Sequence, residues 1–414
     1  MDRLIFHIDV NSAYLSWEAV RHLQKTGEDL RIIPSAVGGN PEKRTGIILA
    51  KSIPAKKLGV KTGEPVSMAL RKCPDLILVP PDFSLYEKNS KAFMDICRKY
   101  APIVEKFSID ECFLDMTGTS LLYPDPIEIA HHIKNEIRDT FGFTVNVGIG
   151  ENKLLAKMAS DFEKPDRVHT LFRHERPEKF WPLPIGDLFM TGKATAETLK
   201  KHNIHTIGDA KNAGSPALCA MLGPRHGAQL FARASGEDDS PVLAEPEEAK
   251  GYSISTTLEE DIKTAEDAKQ VLLALADSVS ARMRADGMQC STVTVTIRSL
   301  DFKNRSHGET LSFPTDVTME IYTHACRLFD AVWDKVTPLR LLGIALTNLE
   351  KEDGAQLTFF TDEKREKEGK MDKAVDRIRS RFGTGKVVRG GIYKTDLSVG
   401  RKYKAQMENK KDSK

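Results

Sequence analysis

The sequence predicts a multidomain protein of mixed α/β (α+β) structure, and two observations lead to this fold class. The chain has 414 residues, and at roughly 150 residues per domain this length predicts two to four domains. In the first 165 residues, strand and helix patterns follow one another in the order strand–helix–strand–strand–helix–strand, which is typical of a sheet covered by helices. A second succession of this kind begins near residue 251.

The composition is that of an ordinary globular protein, with 40% hydrophobic and 29% charged residues. No run of about 18 apolar residues occurs, so we expect no membrane-spanning helix, and the N-terminal segment does not resemble a signal peptide. The six cysteines form no CxxC pair, so we expect buried free thiols, no zinc site and no disulfides, in a reducing cytoplasm. The net charge of +2 neither requires nor excludes a nucleic-acid partner.

Individual elements follow from the spacing of apolar residues and from turn signals. We expect strands at 6–10, 46–52 and 108–117, helices at 13–24, 84–100 and 126–142, and a strand, glycine turn and helix within 143–165. Helices broken by glycines fill 166–237, an acidic linker follows at 238–250, and a second α/β unit spans 251–350. Residues 351–414 form a tail with one more helix at 363–383, which includes the basic segment 377–382.

Three acidic residues stand at the ends of predicted strands. Asp9 ends the first strand, and Asp110 and Glu111 begin another strand much later in the chain. Carboxylates brought together in this way would repel one another unless a cation neutralised them. Pairs of Mg²⁺ ions that drive phosphoryl displacement need such oxygen ligands. Solvated acids at strand ends are also common, so this pattern alone has little specificity.

Lys56, Lys153 and Tyr14 extend the hypothesis toward a nucleotide. The two lysines lie where a predicted strand leads into a helix, and a lysine there is well placed to bind a triphosphate. Tyr14 follows Asp9 by five residues. Each has an ordinary alternative, because most lysines are solvated surface residues and an aromatic at position 14 fits the core face of the first helix.

Four segments in the same order resemble the motifs of the Y-family DNA polymerases. They are FHIDVNSAYLSWE (6–18), SIDECFLD (108–115), VGIGENKLLAKMASDFEKP (147–165) and KGYSISTTLEED (250–261). The second is highly specific, and the resemblance covers the chain from residue 1 to about 360.

This resemblance implies the right-hand architecture of a polymerase. The palm would comprise 1–22 and 79–165, the fingers 23–78, the helical thumb 166–237, and a C-terminal little finger of βαββαβ order 251–350. It also implies template-directed, low-fidelity DNA synthesis past damaged bases, in which a primer 3′-hydroxyl attacks a dNTP. The enzyme would act as a monomer in the bacterial cytoplasm.

The resemblance further implies the residues of the active site. Asp9, Asp110 and Glu111, with the backbone carbonyl of Val10, would hold two Mg²⁺ ions, which Mn²⁺ could replace. Lys56 and Lys153 would bind the triphosphate, and the ring of Tyr14 would exclude a ribose 2′-hydroxyl. The protein would contribute mainly positioning and charge neutralisation.

The chain departs from the common family pattern at four positions. Ala13 stands where an aromatic is common, Ile53 and Lys56 stand where Tyr and Arg are common in the fingers, and Met190 replaces a glycine of the thumb turn. Lysine keeps the positive charge of arginine but lacks its bidentate fork. The fingers positions are closer to the relatives that act in SOS mutagenesis.

The resemblance also implies contacts with primer-template DNA and with a sliding clamp. The DNA contacts would come from Gly192, Lys193, Arg298, Lys303, Arg305 and Arg340, and such phosphate contacts are independent of sequence and sensitive to salt. The segment Gln356, Leu357, Thr358, Phe359 and Phe360 resembles the peptide that docks on the clamp. Its alternative is packing against its own domain.

Two other functions remain open at this point. A different two-metal palm enzyme, such as a nucleotide cyclase or a nuclease, would need neither thumb nor little finger. A DNA-binding or clamp-associated protein without catalytic activity would have kept the fold, although the presence of all three carboxylates argues against it.

Overall fold

In the computed structural model, which describes residues 3–40, 46–351 and 363–393, the chain divides into two units. The first comprises residues 3–39 and 47–246, and the second comprises residues 40, 46, 247–351 and 363–393. The main part of the second unit thus begins within the predicted linker 238–250, whose earlier part packs on the first unit through Val242.

The first unit contains the strands β1 Ile5–Val10, β2 Ser35–Gly38, β3 Ile48–Lys51, β4 Ile77–Val79, β5 Ile103–Lys106, β6 Glu111–Asp115, β7 Val145–Gly150 and β8 Val168–Leu171. Its helices are α1 Ala13–Thr26, α2 Ile53–Lys57, α3 Val66–Lys72, α4 Phe83–Cys97, α5 Pro126–Phe141, α6 Lys153–Ser160, α7 Arg176–Lys179, α8 Lys193–Lys201, α9 Ile207–Leu222 and α10 Pro224–Ala234.

The largest sheet of this unit has the order β5-β6-β1-β7-β8, with β7 and β8 parallel and the other neighbours antiparallel. Alternate residues of β1, including Phe6 and Ile8, face a core shared with α1, α4 and α5. The intervening residues His7 and Asp9 face the opposite side, because successive side chains of a strand alternate between faces. The candidate site lies on this second face.

Local chemistry explains where the helices beside this sheet begin and end. The Asp125 side chain accepts hydrogen bonds from Ile127 N and Glu128 N at the start of α5, which satisfies amides that have no partner within the helix. At the other end, Gly142 adopts a left-handed conformation with φ of 75°, as the sequence predicted. Asn152 caps α6 in the same way as Asp125 caps α5.

Two smaller assemblies complete the first unit. The three-stranded sheet β3-β2-β4 packs with α2 and α3 around its own apolar cluster, within the predicted fingers. The helices α8, α9 and α10 share a further cluster with α6, within the region predicted as the thumb. The domain boundaries themselves stay predictions.

The second unit is built on a four-stranded sheet of order β11-β10-β12-β9. Its elements are β9 Gly251–Ile262, α11 Ala265–Ala285, β10 Met288–Ser299, β11 Asn304–Thr315, α12 Thr318–Val332, β12 Leu339–Lys351, α13 Glu363–Phe382 and α14 Gly390–Tyr393. The inward residues of β10, Val293, Val295 and Ile297, pack against α11 and α12. The βαββαβ order is the one that the resemblance implied.

Helix α13 was predicted from the sequence, and the structure confirms it. It packs against the second unit, so this part of the predicted tail is folded. All six cysteines are free, and Cys73, Cys97, Cys112 and Cys290 are buried as expected, whereas Cys219 and Cys326 are half-buried. None of the helices in the described ranges is long and apolar enough to cross a bilayer.

Candidate active site

The carboxylates of Asp9 and Glu111 lie side by side on the sheet of the first unit. Asp9 on β1 lies directly opposite Glu111 on β6 and directly opposite Asn146 on β7. Residues directly opposite each other on antiparallel strands point to the same face. Glu111, Asp9 and Asn146 therefore form a row across three strands.

Helix α6 covers this row because β7 has glycines at the contact. A Cβ atom at Gly148 would lie 2.0 Å from the Ala156 carbonyl oxygen, and one at Gly150 would lie 2.7 Å from the Ala156 nitrogen. Both distances are far shorter than any real contact, so only glycine permits this approach. The close packing brings the lysines of α6 and of the loop after it over the carboxylates.

Two lysines contact the carboxylate pair. Lys157 Nζ lies 2.6 Å from Glu111 Oε1 and 3.5 Å from Asp9 Oδ2. Lys164 Nζ lies 2.7 Å from Asp9 Oδ2 and 2.8 Å from Asp161 Oδ1. Both lysines lie in the motif 147–165, in which only Lys153 was predicted from the sequence to act at the site.

The electrostatics of the pair favour an additional cation. Burial raises the pKa of Glu111 to about 7, and the charge of Asp9 adds to this effect while Lys157 opposes it. Burial alone would lower the pKa of Lys157 and of Lys164, but the neighbouring carboxylates outweigh it, so both pKa values are raised. Two lysines thus leave Glu111 with an unfavourable charge, which a divalent cation would stabilise.

Asp110 stands apart from the row. It precedes β6, its backbone oxygen accepts a hydrogen bond from Val10 N at 3.0 Å, and its carboxylate accepts one from Ser108 Oγ at 2.6 Å. Burial raises the pKa of Tyr14, and the charge of Asp110 adds to this shift. The Asp110 carboxylate is therefore near enough to Tyr14 for its charge to act on the Tyr14 hydroxyl.

The structure therefore assembles two of the three predicted carboxylates. Within residues 3–40, 46–351 and 363–393, no three His, Cys, Asp or Glu side chains converge closely enough to hold a metal ion. The ammonium groups of Lys157 and Lys164 lie against the pair at the distances given above.

Tyr14 is held by other aromatic residues. Its ring stacks on that of Tyr86, with ring centroids 4.6 Å apart and an angle of 22° between the planes, and the rings of Trp17 and Phe83 pack around it. The Tyr86 hydroxyl donates to Glu18 at 2.9 Å. The position of the Tyr14 ring is thus fixed by packing.

The two lysines predicted to bind nucleotide do not contact the carboxylate pair. Lys153 Nζ lies 2.7 Å from both carboxylate oxygens of Glu105 and 4.8 Å from the centre of the Phe113 ring. Lys56 is exposed on α2. The pKa of Lys51 is lowered by the burial of Lys51 and, to a smaller extent, by the charge of Lys56. Their predicted role stays a prediction.

The residues predicted to contact DNA lie on both units. Gly192 caps α8 with open space around it, and Lys193 is exposed beside it. On the second unit, the contacts are Arg298 with Asn304, Lys303 with Asp301, Arg305 with Asp334, and Arg340 over the Phe302 ring. Gln356, Leu357, Phe359 and Phe360, predicted to bind the clamp, lie outside the described residues.

Comparisons with known proteins connect this geometry to a family. Residues 8–161 match the model of the impB/mucB/samB family, and residues 249–359 match the model of its C-terminal domain. The chain is 40% identical to the DNA polymerase IV of Clostridium acetobutylicum over 94% of this chain and 98% of that protein. It is 36% identical to DNA polymerase IV 1 of Bacillus subtilis, over 96% and 94% of the two chains.

A solved structure extends the likeness to the fold. It is a Y-family DNA polymerase chimera of Dbh and Dpo4, with a TM-score of 0.71 and 25% sequence identity. The match covers 83% of this chain and 98% of the chimera.

Proposed function

This chain belongs to the Y family of DNA polymerases, which copy DNA past damaged template bases, and we propose that Asp9, Asp110 and Glu111 catalyse its nucleotidyl transfer with two Mg²⁺ ions. The observation that carries the proposal is the buried pair of Asp9 and Glu111, in register on adjacent strands beneath two lysines. As a DNA-directed DNA polymerase, the enzyme binds primer-template DNA and dNTP.

The oxygen atoms at this site suit Mg²⁺, and dependence on a divalent metal is general in the family. Carboxylates and backbone carbonyls are hard ligands of the kind that Mg²⁺ prefers, and a bound ion would offset the burial that raises the pKa of Glu111. Asp9, Glu111, Asp110 and the Val10 carbonyl would hold the ions. When bound, the ions would neutralise the triphosphate and activate the primer hydroxyl.

The lysines would support the same step through their charge. Lys157 is largely buried between Glu111 and Asp9, so its ammonium group favours the ionised form of Glu111 and orients both carboxylates. The Lys164 side chain is 34% exposed and carries a flexible positive charge. We propose that it turns toward the phosphates of the incoming nucleotide, in addition to the predicted ligands Lys56 and Lys153.

Tyr14 would select the sugar of the nucleotide. Its ring is fixed against Tyr86 and lies on the side of Asp110, so a ribose 2′-hydroxyl that meets the ring cannot displace it easily. Exclusion by such a clash discriminates against the wrong substrate without any contact to the right one.

The remaining partners are also proposed. Arg298, Lys303, Arg305 and Arg340, together with Gly192 and Lys193, would bind DNA phosphates, and each such contact should steepen the salt dependence of binding. Residues 356–360 would bind a sliding clamp. We further propose that the enzyme is a monomer and acts in the bacterial cytoplasm. The relatives named above are polymerases of bacteria, which supports the bacterial setting.

No observation favours the other two functions that the sequence left open. The likeness to polymerases extends over nearly the whole chain, including the region of the C-terminal domain, which a cyclase or a nuclease would not need. A protein without catalytic activity would not need Lys157 and Lys164 at a buried carboxylate pair.

Primer extension tests the proposed chemistry. Wild type with Mg²⁺ and dNTPs should extend a primer on its template, and both EDTA and Asp110→Ala should abolish the product. Asp115→Asn is the matched control, because Asp115 lies at the other end of the strand that begins with Glu111, opposite Ile5, and its carboxylate accepts a hydrogen bond from Thr117 N.

The outcomes separate the possibilities. Extension that survives Asp110→Ala would show that the site is assigned wrongly. Loss of extension with Asp115→Asn as well would indicate a general defect of this strand. A wild-type protein that binds primer-template but does not extend it would favour the DNA-binding protein without catalytic activity.

A further inference from the structure

Asn146 lies in the row with Asp9 and Glu111, and its side chain bonds to the backbone on both sides of Lys164. We infer that Asn146 is a positioning residue, which sets the place of Lys164 beside Asp9 and thereby controls nucleotide binding. The inference rests on the proposed function, in which Lys164 contacts the phosphates of the incoming dNTP.

The side chain of Asn146 is fully buried and makes four hydrogen bonds. An asparagine side chain has two donors and two lone pairs on its acceptor oxygen, so its capacity is fully used. Its partners are the backbone oxygens of Ser160 at 3.1 Å and Glu163 at 2.7 Å, the nitrogen of Arg167 at 3.2 Å, and Asn11 Nδ2 at 3.1 Å.

Three of these partners bracket Lys164 along the chain. Ser160 ends α6, Glu163 directly precedes Lys164, and Arg167 follows it shortly before β8. A single side chain therefore holds both ends of the loop 161–167. Because the bonds go to backbone atoms, they fix the course of the loop whatever its side chains are.

Asn11 completes the attachment of the loop to the sheet. Its Oδ1 accepts hydrogen bonds from Asp166 N at 2.9 Å and Thr144 Oγ1 at 2.9 Å. Asn11 follows Asp9 by two residues, and Asn146 is the cross-strand partner of Asp9. The loop is thus attached to β7 and to the end of β1 beside Asp9, whose carboxylate Lys164 contacts at 2.7 Å.

The energetic consequence is specific to the loop. Buried amide groups left without partners are costly, so loss of the Asn146 side chain should free the loop to find other partners or water. The ammonium group of Lys164 would then spend less time beside Asp9. The strands and α6 keep their own ladder, glycine contacts and N-cap, so the site should otherwise persist.

Steady-state incorporation of one correct dNTP tests the inference, with Asn146→Ala, Lys164→Ala and the double variant. We expect Asn146→Ala to raise KM for the dNTP about tenfold, the size of one charge-assisted contact, with a smaller change in kcat and in primer-template affinity. The double variant should be no worse than Lys164→Ala, because both changes remove the same contact.

Two further variants separate positioning from general damage. Asn146→Ser keeps a hydroxyl that can donate and accept a hydrogen bond. Its KM for the dNTP should therefore lie between the values of wild type and Asn146→Ala. Asn152→Ala is the matched control, because Asn152 is also a buried asparagine and bonds to Leu155 N and Gly236 O at the opposite end of α6. It should lower thermal stability without a selective rise in KM.

The inference is overturned if Asn146→Ala and Asn146→Ser both leave KM unchanged, if Asn152→Ala raises KM equally, or if the effects of Asn146→Ala and Lys164→Ala multiply. A wild-type KM in Lys164→Ala would overturn both the inference and the phosphate role of Lys164 while leaving the polymerase intact. A wild type that extends no primer would instead overturn the proposed chemistry.

Discussion

The two units bury carboxylates in different ways. In the first unit, Asp9 and Glu111 are neutralised by the lysines 157 and 164, and the second of these remains partly exposed. In the second unit, Asp277 and Asp372 are neutralised by arginines on α13 and in the segment before α14.

The arginine network is largely enclosed by protein. Asp277 receives Arg379 Nη2 and Arg389 Nε, each at 2.8 Å, and the Asp277 and Arg379 side chains are both 3% exposed. Arg389 also contacts Asp372, whose other oxygen accepts a hydrogen bond from Thr318 N at 2.8 Å. Arginine forks that bond carboxylates with such geometry fix the segments that carry them.

The difference between the two networks separates a functional site from a structural one. Lysine is a point charge on a flexible chain, so a metal ion can take its place at a carboxylate and the lysine can turn to a phosphate at moderate cost. An enclosed arginine network cannot exchange a member without leaving a buried charge unpaired. We therefore expect chemistry to depend on the first network and the stability of the C-terminal layer to depend on the second.

Glu111→Gln should have the largest effect, on activity alone. Loss of the charged ligand should reduce primer extension at least about a thousandfold, as for other groups that stabilise transition-state charge. Stability should not fall. The pKa of Glu111 is raised to about 7 in the folded protein, so the ionised form opposes folding as the pH rises from about 4.5 toward 7, and a neutral amide removes that cost.

Two assays check this prediction side by side. Single-turnover extension should show the loss, and the temperature of thermal unfolding should not fall by more than about 4 °C, which corresponds to roughly 1 kcal/mol in a unit of this size. Retained extension would contradict the role of Glu111. A large fall in thermal stability would show that this network is as structural as the one around Asp277.

Asp277→Asn should have the opposite profile. The change leaves Arg379 and Arg389 buried beside a neutral group, and breaking a buried ion pair in this way costs about 3–5 kcal/mol. The free energy of unfolding of the second unit should fall by this amount, measured by chemical denaturation. Single-turnover extension at a temperature well below the transition should remain within about a factor of three of wild type.

The matched control for Asp277→Asn is Lys351→Ala. Lys351 pairs with Glu248 at 2.8 Å in the same unit, but these side chains are 69% and 75% exposed. An exposed pair contributes little to stability because solvent screens it, so this variant should be close to wild type. Equal destabilisation by both variants would remove the distinction between buried and exposed pairs.

The sequence predicted the long elements and the acids more successfully than the contacts between them. The helices at α1, α4, α5 and α13 were found because apolar periodicity extends over many residues. Short strands such as β2, β4, β5 and β8 were missed, because three or four residues carry no periodic signal. Family likeness, and not periodicity, supplied the architecture.

The site shows the same limit. Asp9 and Glu111 were placed together correctly, but Lys157 and Lys164 were not recognised as their partners. The available signal was the alternating glycines of β7, Gly148 and Gly150, which indicate that a helix lies on that face. In the second unit, no partner for the basic segment 377–382 was evident from the sequence, because the partner of Arg379 is on α11, far away in the chain.

The smallest expected effect is the response of the two units to Mg²⁺ alone. A cation that binds at Asp9 and Glu111 stabilises the folded first unit by mass action, so at 100 times its dissociation constant the protection of β1 amides from hydrogen exchange should rise about a hundredfold. The displaced contacts of Lys157 and Lys164 reduce this gain, so the measured factor should be somewhat lower. Amides of β10 in the second unit should not respond, because Asp277 and Asp372 are already paired with arginine.

NaCl at equal ionic strength controls for screening, and Glu111→Gln should remove the response of β1. Equal protection of both units by Mg²⁺ would mean that the ion acts nonspecifically, and the lysine network would then be no more exchangeable than the arginine network.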